Sequence, residues 1–344
     1  MEYKIDDHKE CIGCGEESFI IRGYERNPDG SLTARINMDE RTEGWAGIPH
    51  GGFGMAAILE LITGLDNYPG NPKSQYSPNT PKSTFPIRAD FRMGGAGVVV
   101  GDTVTVSVYG REGGASGIIN KGIKKGGEDQ PYITGSISFG TEDTKERETF
   151  ESFLPSNFSS LENRLIPLPH YTHCFVCGPD RKEPGLKRKF HLFEDPKDSE
   201  GKTVVSLVGF DEEDIDTFYY FKRGDFVHPI ALLALGDETT GWGGFFIAKN
   251  GGVAVKLSYN FYRDIRLGEK MVFFGRGQKI KGDISKRLLF WAIGGAAVVD
   301  EDGGFETVLT TSGQWFGLPA LTEQMRTHLT PEEYRIRAFE LADS

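Results

Sequence analysis

A chain of 344 residues is too long for one ordinary domain, so two halves of roughly 150 residues are the default expectation. Hydrophobic residues at 38% with 26% charged describe a chain that can bury a core, and 45 Gly with 24 Phe favour sheets, turns and apolar pockets over helical bundles. A net charge of −11 argues against DNA or RNA as the main partner, and no stretch approaches the roughly 18 apolar residues of a membrane span. The N-terminus, MEYKIDDHKE, lacks the apolar segment of a signal peptide. The four cysteines occur only as two Cys-x-x-Cys pairs, which suits a reducing compartment, so the cytoplasm is the expected location.

Taken in chain order, the signals come twice. Cys11-Ile-Gly-Cys14-Gly15 opens the chain, and Cys174-Phe-Val-Cys177-Gly178 recurs 163 residues later. A β-rich stretch then leads to a His at the head of an apolar run, His50-Gly-Gly-Phe-Gly-Met-Ala-Ala-Ile-Leu and, offset by 178, His228-Pro-Ile-Ala-Leu-Leu-Ala-Leu-Gly. The residues at 67–86, rich in Asn, Pro and Ser, read as a long loop able to cover a pocket. Alternating strands follow at Ile87-Arg-Ala-Asp-Phe-Arg and Val255-Lys-Leu-Ser-Tyr-Asn-Phe-Tyr-Arg. Next come Gly101-Asp-Thr-Val-Thr-Val-Ser-Val and Gly268-Glu-Lys-Met-Val-Phe-Phe, offset by 167, and closing strands at Tyr132–Phe139 and Thr307–Phe316. The order persists while the offset drifts, as loop insertions would cause.

Each half therefore reads as one apolar helix with three or four antiparallel strands. Helix and sheet satisfy each other only if the sheet curls around the helix, which makes the fold class α+β. Pro229 falls in the first turn of the second helix, where its missing N–H costs nothing. Gly236 and Thr239 mark an expected helix end beside Asp237 and Glu238. The expected domains are 1–145 and 171–320, joined by a linker at 146–170 and followed by a C-terminal helix at 321–344.

Gly44-Trp-Ala-Gly-Ile-Pro-His50-Gly51-Gly52 resembles the His-Gly-Gly signature of hotdog-fold acyl-CoA thioesterases. Cys174-Phe-Val-Cys-Gly-Pro-Asp…Pro184-Gly-Leu resembles the Cys-x-x-Cys-Gly lead-in of bacterial members, and Asn260-Phe-Tyr-Arg-Asp-Ile-Arg-Leu-Gly268-Glu is similar to their helix-to-strand crossover. The resemblance implies two tandem hotdogs, each a curved antiparallel sheet around one central helix, paired as a pseudo-dimer within the chain, with the option of a higher homo-oligomer. It implies an acyl-CoA thioester as substrate, fatty or aromatic, and no cofactor beyond the substrate's own CoA.

Thioester hydrolysis needs an oxyanion donor and a carboxylate acting as base or nucleophile. A helix N-terminus offers unpaired N–H groups, and Gly51 and Gly52 have no Cβ to block a carbonyl, though they equally suit tight packing of the helix. The family's carboxylate lies nine residues after the His, which maps onto Asp237. The corresponding residue of the first half is Leu59, with Glu60 beside it as a reserve. His50 either orients substrate or caps its helix; His228, with Pro229-Ile230 in place of the glycines, is expected to do less. Glu238, Glu60 and Asn260 are candidate substrate-binding residues, although Asn260 and its counterpart Asp90 equally read as structural strand residues. One composite site, Gly51/Gly52 with Asp237, keeps every element, whereas Pro229/Ile230 with Leu59 keeps none. The four thiols have the number and spacing of a tetrahedral zinc site, but the favoured reading is a structural turn with no metal, with a redox couple as the remaining alternative. The basic runs Lys187-Arg-Lys and Lys121…Lys124-Lys125 suit CoA phosphates or a solvated face. Two alternatives to hydrolysis remain, a hotdog enoyl-CoA hydratase or dehydratase and a non-catalytic acyl-CoA binder.

Overall fold

The computed structural model describes residues 23–45, 47–69, 85–122, 130–161, 164–168, 170–181, 184–194, 202–208, 220–223, 225–283, 285, 287–319 and 322–323. Cys11, Cys14, most of the 67–86 loop, Lys124, Lys125 and nearly all of the expected C-terminal helix lie outside them. Two compact units emerge, the first Met1–Glu142, Glu212–Ala234 and Tyr259–Leu267, the second Asp143–Asp211, Leu235–Ser258 and Gly268–Ser344. The units thus interleave along the chain: residues 212–234 and 259–267, expected in the second half, group with the first.

The first unit contains β1 (Tyr24–Arg26), β2 (Leu32–Asn37), β3 (Glu43–Trp45), β4 (Ile48–Pro49), helix α1 (Gly51–Ile62), β5 (Ile87–Met93), β6 (Thr103–Arg111), β7 (Gly114–Asn120) and β8 (Pro131–Phe139). Its antiparallel sheet runs β1-β2-β6-β7-β8-β5. The alternation of β2 and β6 turns Leu32, Ala34, Ile36, Val104, Val106 and Val108 to one buried face. Helix α1 covers that face, lying on β2, β6, β7 and β8 and burying every residue from Gly52 to Ile58. Gly117 on β7 permits this approach, since a Cβ there would sit 2.6 Å from Ile58 Cγ2.

The second unit begins with α2 (Thr144–Glu151), then β9 (Leu165–Pro167), β10 (His191–Glu194) and β11 (Lys202–Val208). After the short β12 (Lys222–Arg223) and β13 (Phe226–Val227) of the first unit come helix α3 (Pro229–Ala248), β14 (Gly252–Phe261), β15 (Met271–Lys281), β16 (Leu289–Val299) and β17 (Phe305–Gly317). Its sheet runs β14-β17-β16-β15-β11-β10-β9, antiparallel wherever the pairing is described. The stretch 146–170, expected as a linker, carries most of α2 and all of β9. Asp143 caps α2 by accepting the Glu146 N–H at 3.1 Å, and Phe150 lies fully buried with Leu161, Phe193, Val205, Val272, Phe274 and Ile293. Glu146 fastens the helix to β17 by accepting from Thr310 Oγ1 at 3.2 Å and Ser312 Oγ at 2.9 Å.

The second central helix does not stop at Glu238 as expected; α3 continues to Ala248. The polar-looking Gly-Asp-Glu-Thr-Thr-Gly-Trp-Gly-Gly stretch stays helical because its small residues let it lie flat on glycines of β15 and β16. A Cβ on Gly243 would fall 2.6 Å from the Arg276 N, and one on Gly277 would fall 2.6 Å from the Gly243 carbonyl oxygen. The packing gained there outweighs the weak helix propensity of Gly and Thr.

Candidate functional site

The two His residues at the helix starts are built alike, bond for bond. His50 is the N-cap of α1: its Nδ1 accepts the Gly52 N–H at 3.0 Å, its carbonyl accepts the Phe53 N–H at 3.1 Å, and its own N–H donates to the Thr42 carbonyl at 2.7 Å. His228 repeats the pattern at α3, with Nδ1 accepting the Ile230 N–H at 3.1 Å, its carbonyl accepting the Ala231 N–H at 3.0 Å and its N–H donating to the Phe221 carbonyl at 2.7 Å. An Nδ1 that accepts a hydrogen bond leaves the proton of the neutral ring on Nε2. Both imidazoles therefore present Nε2–H away from their own helix.

In the first unit that Nε2 meets a carboxylate. His228 Nε2 lies 2.9 Å from Glu60 Oε1, with the side chains 0% and 6% exposed. The N–H does not point straight at the oxygen, so the contact is a close approach and not an aligned hydrogen bond. Glu60 projects from an otherwise apolar helix, and a buried carboxylate there needs such a partner. The start of α3 is pinned beside α1: the Tyr259 hydroxyl donates to the Leu233 carbonyl at 3.0 Å, and Tyr259 packs edge-on against Phe91 at 6.2 Å. Gly52 marks the same close approach, since a Cβ there would stand 3.1 Å from Ala234 Cβ and 2.9 Å from His50 Nδ1.

The expected site residues separate under this geometry. Glu60 and His228 come together, although neither was the leading candidate. Gly51 and Gly52 sit at the opposite end of α1, nine and eight residues or roughly 12 to 14 Å of helix from Glu60. The Gly52 N–H is already given to His50 Nδ1, and Gly52 serves the contact with Ala234, the packing role the sequence also allowed. Asn260 is fully buried, but strand alternation turns it to the face opposite Tyr259 and Phe261, whose rings stack at 6.1 Å on the helix side. Its counterpart Asp90 forms a strand-surface ion pair with Arg88 at 3.0 Å. Lys121 is held by Asp102 at 2.6 Å.

In the second unit Asp237 and Glu238 lie half-buried inside α3. Glu238 Oε1 approaches Cys177 Sγ at 3.9 Å, and Cys174 stands beside them. The hydrogen bond with Cys174, then burial, pushes the Cys177 thiol well above its usual range, so it is no ready nucleophile. No sequence signal pointed to the Glu60–His228 pairing except a lone Glu on an apolar helix. Its partner lies 168 residues away.

No protein-family model matches the chain, and no curated protein matches it. Among solved structures it is similar to hotdog-fold proteins, thioesterases and polyketide synthase dehydratase domains. The tesB protein of Mycobacterium avium subsp. paratuberculosis shares 12% identity over 86% of this chain and 96% of its own, with a TM-score of 0.47. The dehydratase domain of PpsC from Mycobacterium tuberculosis, solved with C12:1-CoA, shares 12% over 87% and 99%, with a TM-score of 0.44. A conserved protein with a hot dog fold from Alicyclobacillus acidocaldarius shares 12% over 86% and 96%, with a TM-score of 0.45. Among the described residues no helix is long and apolar enough to cross a membrane.

Proposed function

We propose that the chain is a tandem hotdog protein that hydrolyses acyl-CoA thioesters, with Glu60 as the base and His228 as the residue that positions it. The tandem reading is supported by the ordered sequence repeat and by the identical capping of α1 and α3. The observation that carries the activity is the buried Glu60–His228 contact. With Nδ1 committed to the Ile230 N–H and the ring proton on Nε2, a neutral His228 has no lone pair left to take a proton. The carboxylate is then the proton acceptor of the pair. In hydrolysis Glu60 takes a proton from water as the oxygen bonds to the thioester carbonyl carbon. The tetrahedral intermediate collapses by breaking the C–S bond, and Glu60 passes its proton to the departing CoA thiolate, giving CoA-SH and restoring the carboxylate. The burial of the pair would strengthen its electrostatics.

One observation favours a second reading. A His and a carboxylate in contact are also what an enoyl-CoA hydratase or dehydratase requires, with Glu60 removing the α-proton of a 3-hydroxyacyl-CoA and returning it to the departing hydroxyl, which leaves as water. Incubation with a panel of saturated, aromatic, enoyl and 3-hydroxyacyl-CoAs separates the readings. Release of free CoA thiol supports hydrolysis, whereas interconversion of enoyl and hydroxyacyl forms without thiol release supports the second reading. Calorimetric binding with neither reaction identifies an acyl-CoA binder and overturns the catalytic assignment.

A further inference from the structure

We infer that Cys174, Cys177 and Glu238 form a binding site for one zinc-class divalent cation in the second unit, with water as the fourth ligand. The inference departs from the metal-free expectation drawn from the sequence, and it stands apart from the acyl-CoA reading. Its basis is that one ligand atom from each of the three residues lies within 4.8 Å of the others, with Cys177 Sγ and Glu238 Oε1 at 3.9 Å. A tetrahedral zinc with bonds of about 2.3 Å to sulfur and about 2.0 Å to oxygen spaces its ligand atoms about 3.5 to 3.8 Å apart. The 3.9 Å between Cys177 Sγ and Glu238 Oε1 would have to shorten by about 0.4 Å to suit such a site, within the reach of the Glu238 side chain.

The turn that presents the sulfurs is held from every side. Cys174 Sγ accepts the Val176 N–H at 3.3 Å, the kind of backbone donation that stabilises a thiolate ligand. The Gly178 N–H donates to the Cys174 carbonyl at 2.9 Å. A Cβ on Gly178 would lie 2.6 Å from both the Cys174 and Thr172 carbonyl oxygens, so the residue closing this turn has to be Gly. The Leu186 and Arg188 N–H groups bond the Phe175 and Val176 carbonyls, each at 2.8 Å, with Phe175 and Val176 fully buried between. Glu238 arrives from α3, 61 residues along the chain. A redox role for the thiol pair would leave that carboxylate unexplained, whereas two sulfurs and a carboxylate suit zinc and match neither magnesium nor calcium, which prefer all-oxygen shells. The bound cation would tie α3 to the turn that precedes β10.

The test uses the full chain, stripped with chelator under reducing conditions and titrated with Co(II) and Zn(II). One equivalent of Co(II) should give near-ultraviolet thiolate-to-cobalt absorption and tetrahedral visible bands, and Zn(II) should bleach both. Cys174→Ser or Cys177→Ser should weaken binding at least about 100-fold, Glu238→Gln about tenfold, and a Cys11→Ser/Cys14→Ser double variant less than twofold. Absence of the thiolate–cobalt bands in the unmodified chain overturns the inference even if the serine variants fail to fold. Undiminished affinity in Glu238→Gln, or loss of the site in the Cys11/Cys14 variant, overturns the assignment to this cluster.

Discussion

The 178-residue offset that carries His50 onto His228 also carries Glu60 onto Glu238, yet the two carboxylates keep different company. Glu60 meets the His228 imidazole at 2.9 Å in the first unit, and Glu238 meets the Cys177 thiol at 3.9 Å in the second. Both stand ten residues after a capping His on an apolar helix. A repeated scaffold position thus supplies a buried or half-buried carboxylate, and the partner decides its chemistry. Opposite an imidazole the carboxylate becomes a held base; opposite two sulfurs it becomes a candidate metal ligand.

Changing either partner should break this comparison in a graded way. His228→Ala should have the largest effect. It removes the buried imidazole that contacts Glu60 and the Nδ1 that accepts the Ile230 N–H, which should cost about 2 to 4 kcal/mol in unfolding measured by denaturant titration. Turnover should fall with it. If stability drops by less than about 1 kcal/mol, the pair does not hold the helix starts together. Gly52→Ala comes next, at about 1 to 3 kcal/mol, because the new methyl would press on His50 Nδ1 at 2.9 Å and Ala234 Cβ at 3.1 Å. An unchanged melting temperature would show that α1 and the start of α3 do not pack as described. Tyr259→Phe should cost about 1 kcal/mol through loss of the bond to the Leu233 carbonyl, with a small rise in KM at most. Chelator treatment should lower the melting temperature of the unmodified chain and shift that of Glu238→Gln less. Equal shifts in both would argue that the second carboxylate has no metal to hold.

Much of this was legible from residue order. The helix starts, the Pro229 position and the strand from Ile87 follow from periodicity and turn chemistry, and the strand expected over 255–263 forms as Gly252–Phe261. The length of α3 was not, because Gly236 to Gly244 lack the bulky apolar period of a helix. Their reason to be helical lies on β15 and β16, in Gly275, Gly277 and Gly294. The exchange of 212–234 and 259–267 into the first unit was equally hidden, since an ordered repeat suggests two separate halves. The counting of nine residues from His228 singled out Asp237, whereas the contact in the first unit uses the tenth position, Glu60. A helix face is set by the partner it packs against, and one residue of offset turns a side chain by about 100°.

The most direct test of the account is the rate of CoA release by Glu60→Gln, compared with the unmodified chain and with Asp237→Asn, on folded samples of matched melting behaviour. The amide keeps the volume and can still contact His228 but cannot take a proton, so turnover by Glu60→Gln should fall at least about 100-fold. Full activity in Glu60→Gln, with loss in Asp237→Asn, would contradict the account and move the base to the second unit.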